Sequence, residues 1–147
     1  MRRLPRYLLA ALACAMALPV FAGECKPVLK DGWINLPPIP APMVLAGYGT
    51  IENPCAKTVI VVGAESPAFQ RTMVHASTVV DGISRMRPLE ELTITAKATA
   101  SFAPGGNHLM LLQPSAPVKE GDKLAVTFKL KDGSEVVGEL VVKKAMP

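Results

Sequence analysis

Between residues 44 and 143 the chain alternates short runs rich in β-branched residues with turn-forming breaks. The runs cover 44–53, 57–64, 69–78, 92–102, 108–114, 123–131 and 135–143, and the breaks include Asn53-Pro54, Asp81-Gly82, Pro104-Gly105-Gly106, Glu120-Gly121-Asp122 and Asp132-Gly133. Runs of this kind are read as strands, bounded as they are by turn chemistry and lacking the apolar period of a long helix. In KLAVTFKLK, residues 123–131, Leu124, Val126, Phe128 and Leu130 fall on one face and Lys123, Thr127, Lys129 and Lys131 on the other. One dry face and one wet face is the pattern of an antiparallel sheet. The last two runs, joined through Asp132-Gly133-Ser134, are the plainest hairpin. Short strands at regular spacing predict an all-β chain, a single-domain β-sandwich or Greek-key barrel.

Residues 27–43, PVLKDGWINLPPIPAPM, hold five prolines. Proline lacks an N–H and fixes φ, so this stretch is expected to be an extended lead-in, neither helix nor central strand. Upstream, Arg2, Arg3 and Arg6 precede an apolar run from Leu8 to Leu18, a break at Pro19 and small-residue spacing at Val20-Phe21-Ala22. That is a secretory signal with cleavage after Ala22, its apolar run too short for an ordinary spanning helix. Cys14 lies too early in the apolar run for a lipobox, and Cys25 follows Glu24 rather than a small residue. The expectation is a soluble exported protein with no membrane anchor after cleavage: signal peptide 1–22, Pro-rich lead-in 23–43 carrying Cys25, and a β-sandwich domain over 44–147.

The signal carries three of the 16 basic residues and none of the 12 acidic ones, so the mature chain has 13 basic against 12 acidic residues, a net charge of +1. No basic run exceeds Lys143-Lys144 and aromatics are few, which argues against a nucleic-acid surface. About 125 residues remain, the size of one domain with one core. Cys14 leaves with the signal, and Cys25 and Cys55 form an even pair in an oxidising compartment, for which a disulfide is the simplest reading. A redox or metal-binding pair is the alternative, although the two make no CxxC. Closing a loop of about 30 residues is worth roughly 3.5 kcal/mol in the chain-entropy model.

His75 and His108 are the two histidines of the chain, and both stand near methionines, in the pattern H-x10-M-x21-H-x-M made by His75, Met86, His108 and Met110. In a strand, residues two apart project from one face about 7 Å apart, close enough for His108 and Met110 to share an ion. Two imidazoles and two thioethers are a soft, neutral donor set that favours Cu(I) over Mg²⁺ or Ca²⁺, while zinc prefers thiolate, imidazole or carboxylate. The plain alternative is that the methionines fill core gaps and the histidines are solvated. Spacing by itself leaves both readings open.

Longer blocks bear on the choice. GWINLPPIPAPMVLAGYGTIEN, VDGISRMRPLEEL and PGGNHLMLLQPSAPVKEGDKLAVTFKL resemble, in order, the tryptophan, proline-rich and "agY…tieN" segment, the "DG…kMrP" block and the "PGG.HiMLm…pLkeGd…ltL.F" block of the PCu(A)C family of periplasmic copper chaperones. The similarity covers roughly residues 33–143 and includes the H-x10-M-x21-H-x-M motif. It implies a cupredoxin-like Greek-key β-sandwich in the periplasm with one Cu(I) per chain on His75, Met86, His108 and Met110. It further implies a non-enzymatic carrier handing copper to an accepting protein, typically the dinuclear copper centre of a haem-copper oxidase (cytochrome c oxidase assembly), often alongside a Sco-type thiol protein. The family often has methionine directly after the first histidine where Ala76 stands here. Met73, two residues before His75, is a possible auxiliary thioether, with core packing as its plainer role. Some members carry a His/Met-rich tail for Cu(II), whereas this chain ends KKAMP, so no second site is expected.

Among other classes, an electron-transfer cupredoxin needs a cysteine thiolate in the copper site, and both mature cysteines lie outside the His/Met cluster. An enzyme would need a second histidine cluster, paired carboxylates or a nucleophile motif, none of which is evident. Copper sequestration for tolerance would use the same ligands, and a structural exported sandwich would leave their spacing a coincidence. A partner is expected to approach over an apolar rim drawn from Met110, Leu109, Leu111 and the Pro104-Gly105-Gly106 turn, with Leu109 and Leu111 facing the core as the plainer reading.

Overall fold

The computed structural model describes residues 23–145, so the signal expected at 1–22 lies outside the described residues. Ten strands follow one another: β1 Val28–Leu36, β2 Val44–Glu52, β3 Val59–Glu65, β4 Phe69–Val80, β5 Ile83–Pro88, β6 Leu92–Ile94, β7 Thr99–Phe102, β8 Asn107–Pro114, β9 Lys123–Leu130 and β10 Glu135–Lys144. No helix occurs among the described residues. The strands form a continuous ladder in the order β5-β4-β8-β7-β2-β1-β10-β9-β3-β6, with β8 also paired to β2. That ladder folds over on itself. Phe102 of β7 and Phe128 of β9, four places apart in the order, pack with ring centroids 5.7 Å apart. The layer between the two halves is filled by Ile34, Ile51, Leu109, Leu111, Val126, Phe128 and Leu140, all essentially inaccessible to water. The expected all-β sandwich is the architecture found.

The proline-rich lead-in departs from expectation. Residues 28–36 form a strand inside the ladder, parallel to β10 and antiparallel to β2, with Ile34 fully buried. The reason lies in where the prolines fall: Pro27 precedes this strand, and Pro37, Pro38, Pro40 and Pro42 all follow it, so none removes a ladder N–H from its interior. A strand over 92–102 is likewise two strands, β6 and β7, separated by a turn with Lys97 at φ 61°. The sandwich thus includes residues that the 23–43 and 44–147 division would leave outside it.

Turn chemistry sets the registers. Asp81 and Gly82 both take positive φ, 53° and 76°, between the paired Val80 and Ile83. That is a two-residue type I′ loop, whose twist matches that of the strands it joins. Ala103-Pro104-Gly105-Gly106 closes through the Gly106 N–H donating to the Ala103 carbonyl at 3.0 Å, with Gly105 at φ 81°. Proline at the second position and positive-φ glycine at the third make it a type II turn. Both turns border the strands that matter for function, β4, β5 and β8.

Asn53, 1% exposed, ties the far side together. Its amide nitrogen donates to the carbonyls of Lys57, Ile94 and Thr95, its side-chain oxygen accepts from the Cys55 N–H at 3.2 Å, and its own N–H donates to Ala98. The Cys55 loop so held is bonded to the N-terminal segment by the Cys25–Cys55 disulfide, Cα–Cα 5.6 Å. Two outcomes follow. Asn53→Ala, which removes the amide's bonds to the Lys57, Ile94 and Thr95 carbonyls and to the Cys55 N–H, is expected to lower the unfolding free energy by about 2 kcal/mol in urea titration. Reducing the disulfide is expected to cost up to roughly 3.5 kcal/mol, and equal denaturation midpoints with and without reductant would exclude it.

Candidate metal centre

Strand β4 lies between β5 and β8, and its pairing with β8 brings the sequence-predicted residues together. His75 stands opposite His108 and Met73 opposite Met110, while Val74 stands opposite Leu109 and Thr72 opposite Leu111. Because side chains alternate, one face of this ladder presents Val74, Leu109 and Leu111 to the core and the other presents Met73, His75, His108 and Met110. Leu109 and Leu111, 1% and 0% exposed, are core residues and not a rim.

Met86 reaches the same face from β5. The two-residue turn pairs Ser77 with Met86 and His75 with Pro88, so Met86 is the diagonal neighbour of His75. A one-residue slip would turn it to the opposite face. Strand β5 is the edge of the sheet and Met86 is 55% exposed, in contrast to His75 at 7% and His108 at 6%. The four predicted residues therefore share one surface, with two imidazoles buried at its centre and one thioether at its margin.

The imidazoles are prepared differently. The rings lie 5.8 Å apart between centroids, inclined at 67°. The Gly106 carbonyl lies 3.0 Å from His108 Nδ1, and a carbonyl can only accept, so in the neutral ring Nδ1 carries the proton and Nε2 keeps a free lone pair. The same carbonyl accepts from the Ser77 N–H at 3.1 Å, which fastens the turn to β4. Gly106 was not singled out from sequence, although the Pro-Gly-Gly turn that delivers its carbonyl was legible. For His75, both ring nitrogens are buried without a hydrogen-bond partner. Leaving such a group unpaired costs about 1–3 kcal/mol, and neither ring nitrogen is tied up by another protein group, so either is free to serve as a ligand. Among the described residues no three His, Cys, Asp or Glu side chains are grouped to hold a metal ion, and a metal here would have to use the thioethers. The donor set fits a soft monovalent ion.

A groove of about 510 Å³ runs between Pro37–Met43 and Pro114–Val118, at the opposite end of β8 from His108, and none of Met73, His75, Met86, His108 and Met110 lines it.

Solved PCuAC domains share this fold. The chain belongs to the family described as "Putative lipoprotein LpqE-like", which matches residues 28–142. A Leifsonia xyli subsp. xyli protein, "Putative lipoprotein Lxx21020", is 32% identical over 134 residues, spanning 86% of this chain and 78% of its own length. Apo-DR1885 of Deinococcus radiodurans is similar in structure, TM-score 0.64 at 25% identity, over 99% of this chain and 97% of the other. Its Cu(I) form gives 0.61 at 27% identity over 91% and 85%. The copper-bound PCuAC domain from PmoF2 shares the fold at 17% identity, TM-score 0.63, over 80% and 92%.

Burial, and then the neighbouring His108, push the His75 pKa below its usual 6.5. On acidification the unfolded chain therefore takes up this proton before the native state does. Above about pH 6.5 the group adds no pH dependence, and below it the stability of the metal-free protein falls as pH falls. Urea unfolding of metal-free protein between pH 7 and pH 5 is expected to show a shallower loss of stability for His75→Ala than for the unmodified chain. Parallel slopes would mean that His75 titrates as it does in the unfolded state.

Proposed function

We propose that this protein is a Cu(I) carrier of the periplasm, holding one Cu(I) per chain on His75, Met86, His108 and Met110. The observation that carries the reading is the buried His75–His108 pair, with both His75 nitrogens unpartnered and thioethers on the same face. Cu(I) here is cargo. Soft, uncharged donors suit it, and thioethers do not protonate at any ordinary pH. The burial that depresses the His75 pKa keeps that ring neutral near pH 7, so Cu(I) need displace no proton from it. A thiolate would bind more tightly but would be lost to oxidation outside the cytosol, and here both described cysteines are already joined to each other. That the similar DR1885 exists in a Cu(I) form supports the metal assignment.

The exposure gradient supports transfer rather than storage. A partner reaches Met86 at the sheet edge first, and the two histidines last. The proposed recipient is a copper-accepting protein such as the oxidase subunit with a dinuclear copper centre, with a Sco-type thiol protein as a possible companion. Sequestration for tolerance uses the same ligands and differs in destination. Export through residues 1–22 agrees with the lipoprotein naming of the family. The Cys25 sulfur is engaged with Cys55, so a lipid on that sulfur and the disulfide are mutually exclusive.

Anaerobic competition with a coloured Cu(I) chelator tests the site. One equivalent is expected to bind, with affinity falling at least about a hundredfold in His75→Ala and in His108→Ala, and about tenfold in Met86→Ala and in Met110→Ala. Weak binding unaffected by all four would remove the copper reading. Oxidase activity in a strain lacking the gene, grown with scarce copper, separates delivery from sequestration: delivery predicts its loss and recovery on adding copper.

A further inference from the structure

Met73 is a methionine that the four-ligand description leaves unused, and the structure gives it a place of its own. It stands directly opposite Met110 and two residues before His75 on the same strand, so it completes a two-by-two array with His75, His108 and Met110 on adjacent strands. It is half-buried and takes no part in the hydrophobic core, to which its neighbours Val74 and Leu109 belong. Packing in the core is therefore not what it does.

Met86 is placed in the opposite manner. It sits on the edge strand, more than half exposed, and reaches His75 along a diagonal and not from a directly opposed position. A thioether so placed is the one an incoming acceptor can draw away. Were it simply to leave, copper would remain on two imidazoles and one thioether. Met73 can supply the missing sulfur without any movement of β4 or β8, because a methionine side chain has three rotatable bonds and faces Met110 already.

We propose that Met73 is a fifth, exchange thioether, which takes the place of Met86 on Cu(I) when Met86 turns outward. This rests on the copper reading. The exchange breaks one Cu–S bond and forms another, with no change in the oxidation state of copper and no proton moved. Cu(I) thereby keeps two sulfurs and two imidazoles throughout, and release needs no undercoordinated ion.

The test is a double-mutant cycle with Met73→Leu and Met86→Leu, near-isosteric changes whose folding is checked by thermal unfolding, read by Cu(I) competition and by X-ray absorption at the copper edge. Met73→Leu alone is expected to change affinity by no more than about threefold and Met86→Leu by about tenfold, while the double variant loses at least about a thousandfold, well beyond their product. The absorption spectrum is expected to count two sulfurs on copper in the unmodified protein and in Met86→Leu, and one in the double variant. A single sulfur in Met86→Leu, or losses that merely multiply, overturns the role of Met73 and leaves the four-ligand site standing. If the unmodified protein binds no Cu(I), both readings fall together.

Discussion

The register of β4 against β8 is the constraint on which the rest of this structure depends. Strand side chains have a period of two, so one alignment decides both what enters the core and what faces outward. With His75 opposite His108, Val74 meets Leu109 beneath the sheet and Met73 meets Met110 above it. Slipping β8 by one residue against β4 would turn His108 and Met110 into the apolar layer and expose Leu109 and Leu111. The hydrophobic core and the His/Met face are therefore specified by the same pairing.

That economy leaves a cost in the metal-free protein. His108 is satisfied by the Gly106 carbonyl, but His75 is buried with nothing to bond. An unpaired buried polar group opposes folding by about 1–3 kcal/mol, a noticeable share of the 5–15 kcal/mol by which domains are stable. The rest of the sandwich must offset it. The Asn53 cluster, which ties the 53–57 loop to Ile94, and the Cys25–Cys55 bond, which ties that loop to the N-terminal segment, contribute to that offset.

Much of this was legible in the residues. The turn at Asp81-Gly82 and the alternation in 123–131 follow from local chemistry, and both occur as expected, the turn as a type I′ loop. The ten-residue gap between His75 and Met86 is the length of a hairpin with a two-residue loop: with Val80 opposite Ile83, Met86 lands opposite Ser77, one step from His75 on the same face. The one-residue gap of His108 and Met110 is the strand period itself. What was not legible is instructive. The strand at 28–36 is hidden by the prolines that bracket it, since the proline density of 27–43 as a whole masks a proline-free interior. Strand β5 was missed because all six of its residues are exposed, leaving no apolar alternation to see. The unused methionine, Met73, has the same identity in a core or a site; only the register with Met110 distinguishes the two.

On the proposed copper reading, the placement of the His and Met residues answers to what a carrier must do. An ion held wholly by buried groups would be tight but slow to leave, since a partner could not approach before a ligand had departed. An ion held wholly at the surface would exchange with water and with every competing thiol. Dividing the donors between a buried pair from the sheet interior and a thioether on the edge strand separates the two requirements. His75 and His108 set the depth of the site, and Met86 sets its accessibility. The edge of a sheet is usually a hazard, an unpaired backbone that invites other strands. Here the edge strand is short and carries Arg85 and Arg87 on either side of Met86, charges of the kind that discourage strand addition while leaving the methionine within reach. On that reading, an edge strand that stays unpaired keeps Met86 within reach, which is a physical reason for β5 to be both exposed and charged.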